Sequence, residues 1–161
     1  PDGELIAVTG FIGGRARIYP AMDLESGHQA VVPAETLATK DSACVFSGDG
    51  KRLFVGNDDG WVRVYEVTSR QELVDERWHA HSTEITALAM TGAGEIIATA
   101  GGDTTILWSA EKEKDLPRRQ RLRLPTGPNS RNWIQFCADD TLLLHCAPDN
   151  PIEVWEAPRC P

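Results

Sequence analysis

Residues 53–66 read Leu-Phe-Val-Gly-Asn-Asp-Asp-Gly-Trp-Val-Arg-Val-Tyr-Glu. The apolar run Leu53-Phe54-Val55 leads into Asn57-Asp58-Asp59-Gly60, a cluster whose residue types accept the backbone angles of a tight hairpin turn. Past the turn, Val62 and Val64 alternate with Trp61, Arg63 and Tyr65, the two-residue period of a strand with two distinct faces. The stretch is therefore a strand, a turn and a strand.

The same order recurs outward in both directions, over residues 1–20, 46–66, 90–109 and 136–156. Each segment has a small turn, an apolar run, a Gly/Asp/Asn turn, and a short run ending in an aromatic. The aromatics Tyr19, Tyr65, Trp108 and Trp155 are spaced 46, 43 and 47 apart, and the first-turn residues Gly3, Gly50, Gly94 and Asp140 are spaced 47, 44 and 46. Two separate markers keep one period, which defines an internal repeat. Further strands are predicted after the aromatics, at roughly 28–32, 71–75 and 120–124, and before the first turns, at roughly 41–46, 84–90 and 131–136. Four short strands per period of about 45 residues imply an all-β chain, a β-propeller of four-stranded antiparallel blades. About four blades are expected, the first and last incomplete, with repeats at approximately 1–40, 41–80, 81–125 and 126–161.

The stretch Ala80-His81-Ser82-Thr83-Glu84-Ile85-Thr86-Ala87-Leu88-Ala89-Met90 resembles the G-H-x-x-x-V-x-x-V-x-F segment of WD repeats. It runs into Gly101-Gly102-Asp103 and then Thr105-Ile106-Leu107-Trp108-Ser109, similar to the closing T-I-x-L-W-D of that family. Residues 58–66 align with the same closing segment without a gap. The pattern is divergent: Pro20, Glu66, Ser109 and Glu156 stand where the family has Asp after the aromatic, and only one repeat carries the histidine. In WD repeats the outermost strand of one blade precedes the three inner strands of the next. The resemblance thus implies blades of three, four, four and three strands, and the C-terminal four blades of a larger propeller.

Composition limits the partners. The 161 residues carry 16 Lys and Arg against 24 Asp and Glu, a formal charge of −8, which argues against a nucleic-acid binder or an anionic-membrane binder. No run approaches the roughly 18 apolar residues of a membrane span. Cys44, Cys137, Cys146 and Cys160 form no C-x-x-C pair and are too sparse for a disulfide scaffold, so a reducing, cytoplasmic setting is expected.

No pattern points to chemistry. His79-Ala80-His81 has metal-compatible spacing, but no third ligand stands in register, so no metal and no cofactor are expected. The resemblance instead gives His81, Thr99, Asp103 and Trp108 a structural role, a buried polar chain that holds one blade together. His145 stands where strand b usually has a small residue, and no G-x-S-x-G or equivalent supplies a nucleophile beside it. Arg118, Arg119, Arg121 and Arg123 are read as charges that keep an outermost strand from pairing edge to edge.

Those readings lead to a non-catalytic protein-protein interaction scaffold that binds a protein or peptide. Its alternative is a regulatory propeller fused to an upstream enzyme such as a protein kinase or protease. The remaining blades of the same propeller, or a second copy, are expected to cover the open sheets. In the family, the d–a and b–c loops crowd the binding rim, which here maps onto Asp58, Trp61, Trp78, His79, Arg131 and Trp133. Aromatic and Arg side chains are the usual energetic anchors of such rims. Packing between blades is the competing role for the tryptophans.

Overall fold

The computed structural model describes residues 3–9, 16–20, 30–31, 40–112, 117–126, 132–137, 139–146 and 151–156. Among these residues there are fourteen strands in four antiparallel sheets. The first sheet is β1 (Leu5–Val8), β2 (Arg17–Pro20) and β3 (Ala30–Val31). The second is β4 (Asp41–Phe46), β5 (Arg52–Asn57), β6 (Trp61–Glu66) and β7 (Trp78–His79). The third is β8 (Ile85–Met90), β9 (Ile96–Gly101), β10 (Thr104–Ser109) and β11 (Gln120–Pro125). The fourth is β12 (Trp133–Phe136), β13 (Leu142–Cys146) and β14 (Glu153–Glu156).

The repeat marker at the first turn has a conformational basis. Gly3, Gly50, Gly94 and Asp140 all have positive φ, between 57° and 78°. Glycine occupies that region without steric cost, and Asp is among the few other residues that enter it readily. In the fourth sheet the exchange of Gly for Asp adds a contact. The Asp140 carboxylate accepts hydrogen bonds from Gly92 N at 2.7 Å and Ala93 N at 3.0 Å, joining its turn to that of the third sheet.

Two-residue alternation explains why the middle sheets are apolar on both faces. In β5, Leu53 and Val55 pack toward the first sheet with Ala16, Ile18 and Tyr65, whereas Phe54 packs toward the third with Trp78, Ile97 and Trp108. In β9, Ile97 faces back and Ala98 and Ala100 face forward, onto Ile134, Phe136 and Leu143 of the fourth sheet. Leu53, Val55, Ile85 and Ile97 are fully buried, and each such side chain contributes about 1.5–3 kcal/mol of burial. Among the described residues, the fourth sheet has one covered face. On its other face Trp133 is 50% exposed and Val154 58% exposed.

One predicted strand lies elsewhere. The segment 71–75 contributes an isolated bridge from Glu72 to Tyr65, with Gln71 O accepting from Glu66 N and Leu73 N donating to Val64 O, then leaves the sheet in a 3-10 turn at Val74–Glu76. The outermost strand of the second sheet is β7 at Trp78–His79, paired only with Trp61 and Val62. Burial decides this, because Val74 is 52% exposed while Trp78 enters the core at 8%.

Candidate functional site

The loop from β7 to β8 delivers His81 into the third sheet. Ala80 N and His81 N both donate to Gly60 O, at 2.9 and 3.1 Å, so the β5–β6 turn of the neighbouring sheet sets the loop's path. Gly60 is required there: its φ is +80°, and a Cβ would lie 1.9 Å from His81 O. His81 Nε2 then meets Thr99 Oγ1 at 2.8 Å and Thr99 O at 3.2 Å. Trp108 Nε1 donates to the same Thr99 Oγ1 at 3.0 Å. A hydroxyl can accept two bonds and donate one. Here its own proton points to Ile106 O at 3.5 Å.

Burial pushes the His81 imidazole down from 6.5 to about 4, with the Arg123 and His79 charges adding to the effect and the Thr99 and Gly101 carbonyls opposing it. The ring is therefore neutral at pH 7. Asp103 departs from its expected role. It is exposed at the β9–β10 turn, and the oxygen beside His81 Nδ1 is Thr104 Oγ1, at 3.5 Å. The turn directs the aspartate outward and the following threonine inward, since successive strand residues face opposite ways.

The corresponding positions of the fourth sheet are different. Register places His145 where Thr99 stands and Trp155 where Trp108 stands. His145 is 1% exposed, its Nδ1 lies 3.5 Å from Glu153 Oε2, and neither ring nitrogen has a hydrogen bond. Trp155 Nε1 is likewise a buried donor with no acceptor. Among the described residues no group of three or more His, Cys, Asp or Glu is arranged to hold a metal.

The proposed rim residues do not act as one surface. Trp78 is 8% exposed and sits edge-on to Phe54 at 6.2 Å and Trp108 at 6.0 Å, inside the packing of the second and third sheets. As a core side chain it cannot serve as an exposed anchor. Trp61 is half-buried, 5.4 Å from the exposed His79 ring, with the Arg77 guanidinium 5.5 Å above it. Asp58 is exposed, and its Oδ1 accepts from Lys40 N at 3.0 Å. Trp133 lies on the open face of the fourth sheet, and Arg131 falls outside the described residues.

Sequence reasoning missed Arg118. Arg121 and Arg123 are exposed on the outermost strand β11, but Arg118 precedes it and is 5% exposed. Its guanidinium lies 4.3 Å from the Trp78 ring and 5.8 Å from the Phe54 ring. Nη1 donates to Ser109 O at 2.8 Å and to Ala110 O, and Nη2 lies 3.8 Å from Glu76 Oε2. Burial lowers this guanidinium to about 10 against the opposing charge of Glu76, so it stays cationic at neutral pH. Beside it, Trp61, Arg77, His79 and Lys112 line an outer groove of about 520 Å³.

The family profile "WD domain, G-beta repeat" matches residues 26–66 and 73–109. An uncharacterized WD repeat-containing protein of Schizosaccharomyces pombe is 29% identical over 147 residues, covering 89% of this chain and 24% of that protein. Myosin heavy chain kinase C of Dictyostelium discoideum is 27% identical, covering 76% of this chain and 14% of the kinase. The chain thus spans a quarter or less of these two relatives. Among solved structures, a chain of the mitotic checkpoint complex superimposes with a TM-score of 0.74 at 18% identity, covering 94% of this chain and 43% of its own length. The Cps50 (Swd1) β-propeller domain of Myceliophteria thermophila gives 0.74 at 16% identity, covering 95% and 53%. With its four antiparallel sheets and its matched repeats, the chain belongs to the WD40-repeat family of β-propellers.

Proposed function

We propose that the chain is a non-catalytic protein-interaction scaffold whose outer edge, between the second and third blades, docks a protein or peptide segment. The observation that carries this reading is the accessible cluster of Trp61, His79 and Arg77, two rings in tilted contact with a guanidinium over the indole. Aromatic and Arg side chains contribute most to binding when they sit in partly desolvated pockets. Trp78 supports the cluster from the core and does not itself touch a partner. The open face of the fourth sheet, with Trp133 and Val154, is assigned to a further blade of the same protein or a second copy, because a propeller sheet is normally packed on both faces. The sparse cysteines favour a reducing, cytoplasmic setting.

A photo-crosslinking amino acid in place of His79 in the full-length protein tests the scaffold. One partner polypeptide is expected, and its yield should fall in the Trp61→Ala background. Yield unchanged by that substitution, or no crosslinked partner, would overturn the reading. The relative that is a kinase favours a second reading, a regulatory propeller joined to an enzyme. A crosslink within the same polypeptide, to a catalytic domain, would select it.

A further inference from the structure

The seam between the second and third sheets and the seam between the third and fourth are filled differently at equivalent positions. Strand pairing carries Val62 of the second sheet onto Thr105 of the third, and Ala80 onto Thr126. It also carries Ile106 of the third sheet onto Glu153 of the fourth, and Thr99 onto His145. Val62, Ala80 and Ile106 lie in one apolar cluster. At the next seam the matching groups are polar, and Thr105 Oγ1, Thr126 Oγ1, Glu153 Oε2 and both ring nitrogens of His145 are buried without a hydrogen-bond partner. Asn132 adds both of its amide atoms. Thr105 shares a strand face with Leu107, and Asn132 shares one with Ile134 and Phe136, so these groups look into the same seam. Unpartnered donors occur beside the second and third sheets as well, on Trp78 and Arg118, but at the outermost strand.

The unpartnered groups gather at one end of the strands. Asn132 precedes β12, Thr126 follows β11, Thr105 and Glu153 stand at the starts of β10 and β14, and His145 is next to last in β13. The opposite end is closed. There Leu107, Phe136 and Leu143 pack together, and the Asp140 carboxylate accepts from Gly92 N and Ala93 N. We infer that the third and fourth sheets form a hinged pair, which opens at the Thr105–His145 end and turns about the clasp of Asp140 on Gly92. A buried polar group without a partner gains hydrogen bonds to water when its end of the seam parts. The apolar contacts of Phe136 and Leu143 persist meanwhile at the hinge. No strand pairing is broken, because the pairing of β9 with β10 and of β13 with β14 lies within each sheet. The seam between the second and third sheets stays shut at the equivalent end, where Ser42 Oγ donates to Glu84 Oε1 at 2.7 Å and Gly60 O accepts from Ala80 N and His81 N. The weaker seam is the one that opens first.

Thiol labelling of the full-length protein with N-ethylmaleimide, located by peptide mass spectrometry, tests the hinge. Thr105→Cys and Val62→Cys place equivalent buried probes in the two seams, and Leu107→Cys places one near the hinge. Thr105→Cys should label at least about tenfold faster than either of the others. Adding His145→Thr should slow the labelling of Thr105→Cys roughly fivefold and leave Val62→Cys unchanged. Near-ultraviolet circular dichroism and urea midpoints check that the variants keep their fold, and Leu143→Cys replaces Leu107→Cys as the hinge probe if that variant does not. Equal labelling of Thr105→Cys and Val62→Cys overturns the inference. So does equally fast labelling of Thr105→Cys and the hinge probe, because the fourth sheet would then come away whole. Labelling of Thr105→Cys that His145→Thr does not slow overturns it as well, since the unpartnered groups would not drive the opening.

Discussion

The third and fourth sheets use one register position in opposite ways. Thr99 in β9 gives His81 and Trp108 a shared hydroxyl, so three buried polar side chains satisfy one another. At the same position in β13, His145 is too large to be such a bridge, and its ring nitrogens and Trp155 Nε1 are left without hydrogen bonds. The second sheet takes a third course, with the apolar, fully buried Val55 at that position. A buried polar network is worth having only when each member is paired, and an apolar residue is the better choice otherwise. The lesson is that a repeat preserves its backbone while each blade solves its own interior.

Breaking the third sheet should have the largest effect. Thr99→Val removes the acceptor of two buried donors while keeping shape, and we expect a loss of about 3 kcal/mol in urea denaturation. A loss below about 1 kcal/mol would show that the hydroxyl is incidental. Acid should act on the same network. His81 titrates near 4 in the fold against 6.5 when unfolded. Between those values the unfolded chain binds the extra proton, so stability is complete above pH 6.5 and falls as pH drops toward 4, by up to about 3 kcal/mol. Paired melts of wild type and His81→Asn across pH 4–7 test this, and the variant should lose that part of the slope.

Two smaller effects sharpen the contrast. His145→Thr copies the third sheet's solution into the fourth, giving Trp155 Nε1 an acceptor and removing unpaired ring nitrogens. We expect stabilisation of about 1 kcal/mol, measured by the denaturation midpoint. A clear destabilisation would mean that His145 has a partner in the folded protein. Asp103→Ala should change stability by no more than about 0.5 kcal/mol, because the side chain is exposed and does not reach His81. A loss of about 2 kcal/mol would return the aspartate to the network.

Much of this was legible from residue order. Turn glycines and two-residue alternation lie within short segments, so the hairpins at 53–66 and 96–109 could be read directly, and the period supplied the sheets. What failed depended on contacts between segments. Leu73-Val74 and Trp78-His79 are both apolar or aromatic pairs after a tight turn, and only the core beneath them decides which becomes the strand. Asp103 and Thr104 are adjacent, and the turn's direction decides which one meets His81. Arg118 and Arg119 are alike as letters, yet one is 5% exposed and the other lies in solvent. Nothing in the local sequence separates them.

Gly60 also bears on how the chain can be cut and recombined. Its missing side chain leaves room for the carbonyl of His81, a residue that serves the next blade. Blade boundaries drawn on sheets therefore divide a pair of residues that must be inherited together. Replacing the third blade with one whose entering loop follows the same path would succeed only if the host turn keeps a glycine at position 60. Conversely, a second blade carrying any larger residue there would be compatible only with a neighbour whose entering loop takes another path.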